Sequence, residues 1–185
     1  MPESGAGAGA LTGEVAWPDA IYRTLKDAGI RQIAYVPDAG HARLIELCRS
    51  DPEMSATVLT TEEEGIALLA GAWLGGEKGV LLMQSSGVGN CINMLSLTTS
   101  CGFPLPMLVT MRGEWSEFNP WQIPMGQAVG PCLSLAGVLI HTVDRADDAA
   151  PSVESAIKLA VNGQRPTAVL LSQRMIGAKS FKEER

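Results

Sequence analysis

Three carboxylates in a row, Glu62-Glu63-Glu64, open a segment that is otherwise strongly apolar (GIALLAGAWL). Acids at a helix start favour the macrodipole, and Thr60 or Thr61 is placed to cap it. Three carboxylates exceed what capping needs. Successive helical residues point about 100° apart, so one of the three faces inward. A carboxylate held there in apolar surroundings has a raised pKa and can share a proton with a ligand nitrogen. A second cluster, Ser85-Ser86-Gly87-Val88-Gly89-Asn90, follows an apolar run and extends to Asn93, giving G-x-G-x-x-x-N. The third glycine of a dinucleotide fingerprint is missing, since Ile92 holds its place, and Arg112 stands where an acid should follow. A nicotinamide cofactor is therefore disfavoured, and a tight strand-to-helix turn is the simplest reading. A third cluster is the loop Pro37-Asp38-Ala39-Gly40-His41.

The elements that position these clusters follow from periodicity. Helical spacing predicts helices over 17–28, 40–49, 62–74 and 147–161, a helix running from the tight turn at 85–90 to about Ser100, and a short one over 133–137. Apolar or alternating runs predict strands over 32–36, 55–59, 79–83, 106–111, 138–143 and 167–171. Residues 112–131 show no clean period and hold two Trp, three Pro and three Gly. They predict a long irregular loop, a feature that is often functional. The alternation of strands and helices predicts an α/β fold: one doubly wound domain over 14–175, with a parallel sheet of about six strands. A flexible Gly/Ala-rich tail is expected over 1–13 and a polar tail over 176–185. All three clusters then fall at the C-terminal ends of strands, where open α/β sheets bind ligands.

Bulk properties narrow the field. The chain has 185 residues, 46% of them hydrophobic and 18% charged, which describes a globular domain with a substantial core. Its net charge of −6, without a basic block, disfavours nucleic acid and anionic membrane as partners. No apolar run approaches the roughly 20 residues of a membrane helix. Cys48, Cys91, Cys101 and Cys132 form no C-x-x-C pair and read as reduced thiols of a cytoplasmic protein. His41 and His141 lack ligand spacing, so no metal site is expected on this chain.

Residues 61–72 (TEEEGIALLAGA) resemble the glutamate helix of thiamine-diphosphate enzymes of the acetolactate synthase and pyruvate decarboxylase group. Residues 84–93 (QSSGVGNCIN) resemble the G-P-G or G-V-G turn of that group, at an agreeing distance. A narrower likeness, carried by 62–76, 81–93 and QIPMGQ at 122–127, is to sulfopyruvate decarboxylase alpha subunits and the N-terminal half of phosphonopyruvate decarboxylases. It spans roughly residues 16–172. The resemblance implies the pyrimidine-binding (Pyr) domain fold and thiamine diphosphate as cofactor. In that family a glutamate bonded to N1′ of the aminopyrimidine favours the imino tautomer that takes the proton from thiazolium C2. The 2-oxo acid then loses CO2 and an aldehyde is released. Aligned on Gly65, the glutamate role falls to Glu63, with Glu64 second and Glu62 third.

Further roles follow from the same resemblance. Pro37, Gly87, Val88 and Asn90 are expected at the cofactor. Asp38 or His41 is expected to face substrate, although His41 at a helix start also reads as a surface residue. Gln122 and Gln127 are expected to bind the substrate carboxylate or departing CO2, or else to bond loop backbone. Arg112 is expected to meet a sulfonate or phosphonate, with a surface salt bridge to Glu114 or Glu117 as the plainer reading. The family binds diphosphate through Mg2+ on a second domain marked by G-D-G, and this sequence has no G-D-G. A separately encoded beta subunit is therefore expected to hold diphosphate and Mg2+, with Trp115, Phe118, Trp121 and Ile123 suited to the contact. The implied activity is that of a carboxy-lyase acting on a small anionic 2-oxo acid. A related carboligase or lyase subunit, and a non-catalytic domain on the same scaffold, remain alternatives.

Overall fold

A computed structural model describes residues Ala16 to Gly177; both predicted tails lie outside it except for Ile176 and Gly177. Six strands form one parallel sheet: β1 (Ile30–Tyr35), β2 (Ser55–Val58), β3 (Lys78–Gln84), β4 (Leu105–Thr110), β5 (Leu139–Val143) and β6 (Pro166–Leu171), in the order β2-β1-β3-β4-β6-β5. Every residue of β4 and β6 is buried, as expected of parallel strands covered on both faces. The predicted α/β class, parallel pairing and strand count are all observed.

Helices α1 (Trp17–Asp27), α2 (Ala42–Ser50) and α7 (Ala146–Gly163) pack on one face. The opposite face carries α3 (Glu62–Leu74), α4 (Ser85–Cys91), α5 (Ser96–Cys101) and α6 (Ile123–Leu135). Two cores result, separated by the sheet. Ile21, Leu25, Leu44 and Ile157 belong to one; Ile66, Leu69, Val88, Val129 and Leu133 belong to the other. The chain leaves β1 toward one face, into α2, and leaves the adjacent β3 toward the other, into α4. A crevice opens at such a switch point, beyond the C-terminal strand ends.

Two expectations about elements need correction. The tight turn predicted over 85–90 is a short helix, α4, and the helix expected from there to about Ser100 is interrupted by a turn over 92–95 and reduced to α5. The irregular loop predicted over 112–131 ends at Gln122, because α6 starts at Ile123 and absorbs the short helix predicted at 133–137. Pro124 sits in the first turn of α6, where its missing N–H costs nothing. Gly126, Gly130 and Pro131 are poor helix formers and hid the element in the sequence. Tertiary packing compensates, through buried Gly126, Val129 and Leu133. A last short helix, α8 (Gln173–Ile176), was not predicted; the side chain of Ser172 caps it by accepting from the Met175 N–H.

Candidate active site

The three carboxylates have three different surroundings. Glu62 is buried, at 7% exposure, and its Oε2 accepts from Asn90 Nδ2 at 2.8 Å. Glu63 is half-buried and accepts from the Thr61 hydroxyl at 2.5 Å, a bond that holds its carboxyl below the ordinary value. Glu64 is exposed, and its Oε2 accepts from the Thr60 N–H, one residue before the N-cap, at 2.9 Å. Thr61, the N-cap, makes no side-chain cap bond. The inward carboxylate is therefore Glu62. Alignment on Gly65 pointed instead to Glu63, which bonds within its own helix start.

What seats Glu62 is the absence of a side chain at Gly87. A Cβ there would stand 2.5 Å from Glu62 Cγ and closer still to the carboxyl carbon and Oε1. Gly65, one turn further along α3, is equally confined, since its Cβ would lie 2.6 Å from Leu81 and 2.9 Å from Leu59. That glycine lets α3 lie close against the sheet and brings Glu62 over the start of α4. Val88 points its side chain wholly into the core, so only its backbone is left for any ligand. Cys91 lies beneath; burial, with the Glu62 and Glu63 charges adding to it, pushes its thiol to about 12.

Asp38 joins three strand ends. Its carboxylate accepts from Gln84 Nε2 at 2.9 Å, from the Thr110 hydroxyl at 2.7 Å and from the Gly40 N–H at 2.9 Å. Burial pushes its pKa upward, but these bonds and the field of His41 prevail and hold it below the ordinary value. The Ser86 hydroxyl donates to Gln84 Oε1 at 2.9 Å. A chain Ser86–Gln84–Asp38–Thr110 thus crosses the crevice between β1 and β3 and reaches the turn that seats Glu62. Pro37 is exposed at the rim. Asp38, Gly40, Thr110 and Arg112 border a cavity of about 210 Å³. A recess of about 380 Å³ flanks Pro37 and Asp38 on the α2 side; recesses of about 380 and 640 Å³ beside α7 hold none of the residues singled out from the sequence.

Of the other residues expected to meet substrate, His41, Gln127 and Arg112 are engaged elsewhere. His41 is fully buried, with Nε2 at 3.1 Å from the Leu108 carbonyl, so it does not face a ligand at the surface. Burial depresses its pKa, outweighing the opposite pull of Asp38. Gln127 donates through Nε2 to the Gly113 carbonyl at 2.8 Å, the backbone alternative foreseen for it. Gln122 is half-buried, and its Oε1 is a buried acceptor without a protein partner. Arg112 forms its salt bridge with Glu117; the pair is buried rather than superficial, with side chains 10% and 3% exposed.

A family model described as the thiamine pyrophosphate enzyme, N-terminal TPP binding domain, matches residues 17–123. The chain belongs to the thiamine pyrophosphate enzymes. Sulfopyruvate decarboxylase subunit alpha of Methanococcus maripaludis is 34% identical over 154 residues, covering 83% of this chain and 92% of the relative. The same subunit of Methanothermobacter thermautotrophicus is also 34% identical, covering 83% and 93%. Phosphonopyruvate decarboxylase of Streptomyces viridochromogenes is 30% identical over 162 residues, covering 86% of this chain and 41% of the relative. A solved 2-oxoglutarate:ferredoxin oxidoreductase from Magnetococcus marinus superposes with a TM-score of 0.72 at 16% identity, over 92% of this chain and 34% of that one. That likeness is one of fold.

The sequence held a signal for the inward carboxylate. Glu62, Gly65, Ile66 and Leu69 are spaced i, i+3, i+4, i+7, one stripe of a helix, and all four are buried. Glu117 was foreseen only as a surface partner of Arg112, and Gln173, the first residue of α8, escaped notice altogether. Both have buried polar side chains, and no local pattern marks a carboxylate whose partners are scattered over 112–173.

Proposed function

We propose that this chain is the pyrimidine-binding alpha subunit of a two-subunit, thiamine-diphosphate-dependent 2-oxo-acid decarboxylase, and that Glu62 is its activating carboxylate. The observation that carries the reading is Glu62 itself. It is a buried carboxylate at the start of α3, lying on a glycine and held by one amide. The bare Gly87 is the kind of close-approach position a flat ring needs beside a carboxylate. The residues therefore fit the cofactor. Glu62, Gly87, Asn90 and the backbone at Val88 are the groups to hold its aminopyrimidine end. When bound, thiamine diphosphate supplies the electron sink that lets a 2-oxo acid lose CO2.

The chain's own contribution is orientation and one proton position. Asn90 fixes one carboxylate oxygen of Glu62, so the other is the one left to share a proton with a ring nitrogen. Gly87 sets how closely a ring approaches. Asp38, held ionised across the crevice, gives the substrate side a fixed negative charge. The relatives favour an anionic 3-substituted pyruvate, sulfopyruvate or phosphonopyruvate, as substrate.

The partner is the second part of the proposal. We assign diphosphate and Mg2+ to a separate beta subunit. Alpha-subunit relatives are matched over about nine-tenths of their length, the phosphonopyruvate enzyme over 41%. The face bearing α3 to α6 also supports a partner. Residues 79–111 and 118–143 contain no Asp, Glu, Lys or Arg. Leu74, Trp121 and Leu135 on or beside these helices are 87%, 83% and 90% exposed. Charge depletion with exposed aromatic and aliphatic side chains is the composition of an interface core. No helix among the described residues is long and apolar enough to cross a membrane. A cytoplasmic location is proposed from the four unpaired cysteines.

The test is co-expression with the chain carrying the diphosphate motif, then CO2 release from sulfopyruvate, phosphonopyruvate and pyruvate with thiamine diphosphate and Mg2+. Glu62→Gln is expected to abolish release, and Glu63→Gln to lower it by less than about tenfold, since the Glu63 carboxylate bonds only to its own N-cap threonine. The reverse ranking refutes the role of Glu62. Absence of CO2 release from every 2-oxo acid refutes the decarboxylase.

A further inference from the structure

Arg112 borders the strand-end cavity with Asp38 and Thr110, a place where a cation invites assignment as the receptor for a substrate anion. Its bonding argues otherwise. Nε donates to Glu117 Oε2 at 2.7 Å and Nη2 to Oε1 at 2.5 Å, a two-pronged pair in which both side chains are nearly enclosed. Glu117 also accepts the N–H of Gly113 at 3.1 Å, the N–H of Asn119 at 3.0 Å and Gln173 Nε2 at 2.9 Å. A carboxylate has about four lone-pair sites, so Glu117 is saturated. Gln173, itself buried, continues the network. Its Oε1 accepts the N–H groups of Glu114 and Trp115, both at 3.0 Å, and its own N–H donates to Glu114 Oε2 at 3.1 Å.

The base of the same loop is closed by two glycines. Gly113 has φ +76°, and a Cβ there would lie 2.5 Å from the Gln122 carbonyl oxygen. A Cβ on Gly126 would lie 2.9 Å from the Arg112 carbonyl carbon. Gln127 then ties α6 to the Gly113 carbonyl. To release Arg112 toward a substrate would strand a buried carboxylate, which is strongly unfavourable.

We infer that Glu117 is a positioning residue which, with Arg112 as its counter-ion rather than as an anion receptor, holds residues 112–122 as a preformed rim of the active site. The rim carries Trp115 and Trp121 outward, and α6 runs on from it. It follows that discrimination between charged and uncharged 3-substituents does not come from Arg112. The activity arm of the test rests on the proposed decarboxylase; the structural arm does not.

The experiment compares Glu117→Gln, Arg112→Met and the double variant in the full chain. Amide hydrogen exchange over 113–119 is read without any partner. The value of kcat/KM for sulfopyruvate and for pyruvate is read in the co-expressed complex. Each single variant leaves a charge or its donors unmatched. Each is expected to speed exchange at least roughly tenfold and to lower kcat/KM for both substrates by one common factor, the effect of losing one charge-assisted bond. The double variant removes both charges and keeps one amide oxygen, whose two lone pairs can serve Gly113 and Gln173 but not Asn119, so exchange and both activities are expected to recover part of the loss. A fall of tenfold or more for sulfopyruvate alone in Arg112→Met, not relieved in the double variant, makes Arg112 the anion receptor and overturns the inference. Unchanged exchange in Glu117→Gln also overturns it. If the unaltered complex decarboxylates neither substrate, the proposed function falls and the exchange data still decide the role of Glu117.

Discussion

Replacing Gly87 by alanine puts a methyl group where the Glu62 side chain already lies. The new carbon would stand 2.5 Å from Glu62 Cγ and nearer to its carboxyl group. Carbon atoms in contact sit at about 3.5–4.0 Å, so Glu62 or α4 must retreat by about 1 Å. Neither yields freely. Gly87 and Val88 are buried at the start of α4, and Glu62 is tied to Asn90 at 2.8 Å. Overpacking of this kind costs about 1–3 kcal/mol, which lowers the melting temperature of a domain this size by about 2–12 °C. A displacement of about 1 Å in a catalytic group costs about 10²-fold in rate. The assays are thermal melting of the isolated chain and CO2 release by the assembled enzyme. Gly130→Ala is the control, since no atom lies within 4 Å of a Cβ there. In the body of α6 that change is expected to stabilise by about 0.5–1 kcal/mol. If Gly87→Ala melts like the unaltered chain and keeps its rate, Glu62 does not lie against Gly87. If it loses stability but keeps its rate, the position of Glu62 is irrelevant to turnover.

Two further outcomes are expected. His41 is buried, which depresses its pKa below the ordinary 6.5, so the unfolded chain binds a proton that the folded chain refuses. Its contribution to stability is therefore complete above about pH 6.5 and declines as the pH falls below that value. An NMR titration should show a neutral ring protonated at Nε2, bonded to Leu108, without a midpoint near 6.5; a midpoint there contradicts the burial. Among the cysteines, exposed Cys101 should react first with a thiol reagent at neutral pH, while Cys48 and Cys91, both buried and pushed up to about 12, remain unmodified until the chain unfolds. Mass-spectrometric mapping showing early modification of Cys91 would mean that the floor of the site opens in the native state.

Most of the fold was legible because its signals are periodic. The apolar run 79–83 and the stripe through Ile66 and Leu69 each match an observed element, β3 and α3, and the order of strands and helices fixes a parallel sheet. What was not legible is what depends on contacts distant in sequence. α6 has three residues that oppose helix and forms because Gly126 packs on Arg112 while Val129 and Leu133 enter the core. Near the site the same division holds. The glycine cluster around Gly87 and the acidic helix start were visible as local patterns, although the turn expected over 85–90 is the helix α4. The choice among Glu62, Glu63 and Glu64 depends on which neighbour each one meets, Asn90, Thr61 or Thr60. A motif alignment on one glycine fixes the stretch but not the side chain, whereas the helical stripe through Gly65, Ile66 and Leu69 tells which carboxylate is buried.

The two faces of the sheet differ in a way that bears on the whole assembly. On one side, α1, α2 and α7 carry outward charges, among them an Arg43–Asp19 pair and an Arg43–Glu46 pair, and bury a single apolar stripe. That is the pattern of helices facing water. On the other, α3 is apolar on most of its circumference beyond its first turn, and α4, α5 and α6 have no charged residue. Helices apolar all round are stable where both sides are buried. The sheet covers only one side of them, and the proposed beta subunit would cover the other. Glu62, Asn90 and Gly89 lie on that uncharged face, and a partner seated there would remove the Glu62 carboxylate from what water still reaches it. In drier surroundings the bond between a carboxylate and a ring nitrogen is stronger than in water. Docking of a partner and activation of a cofactor would then be one event, and neither half would be competent alone.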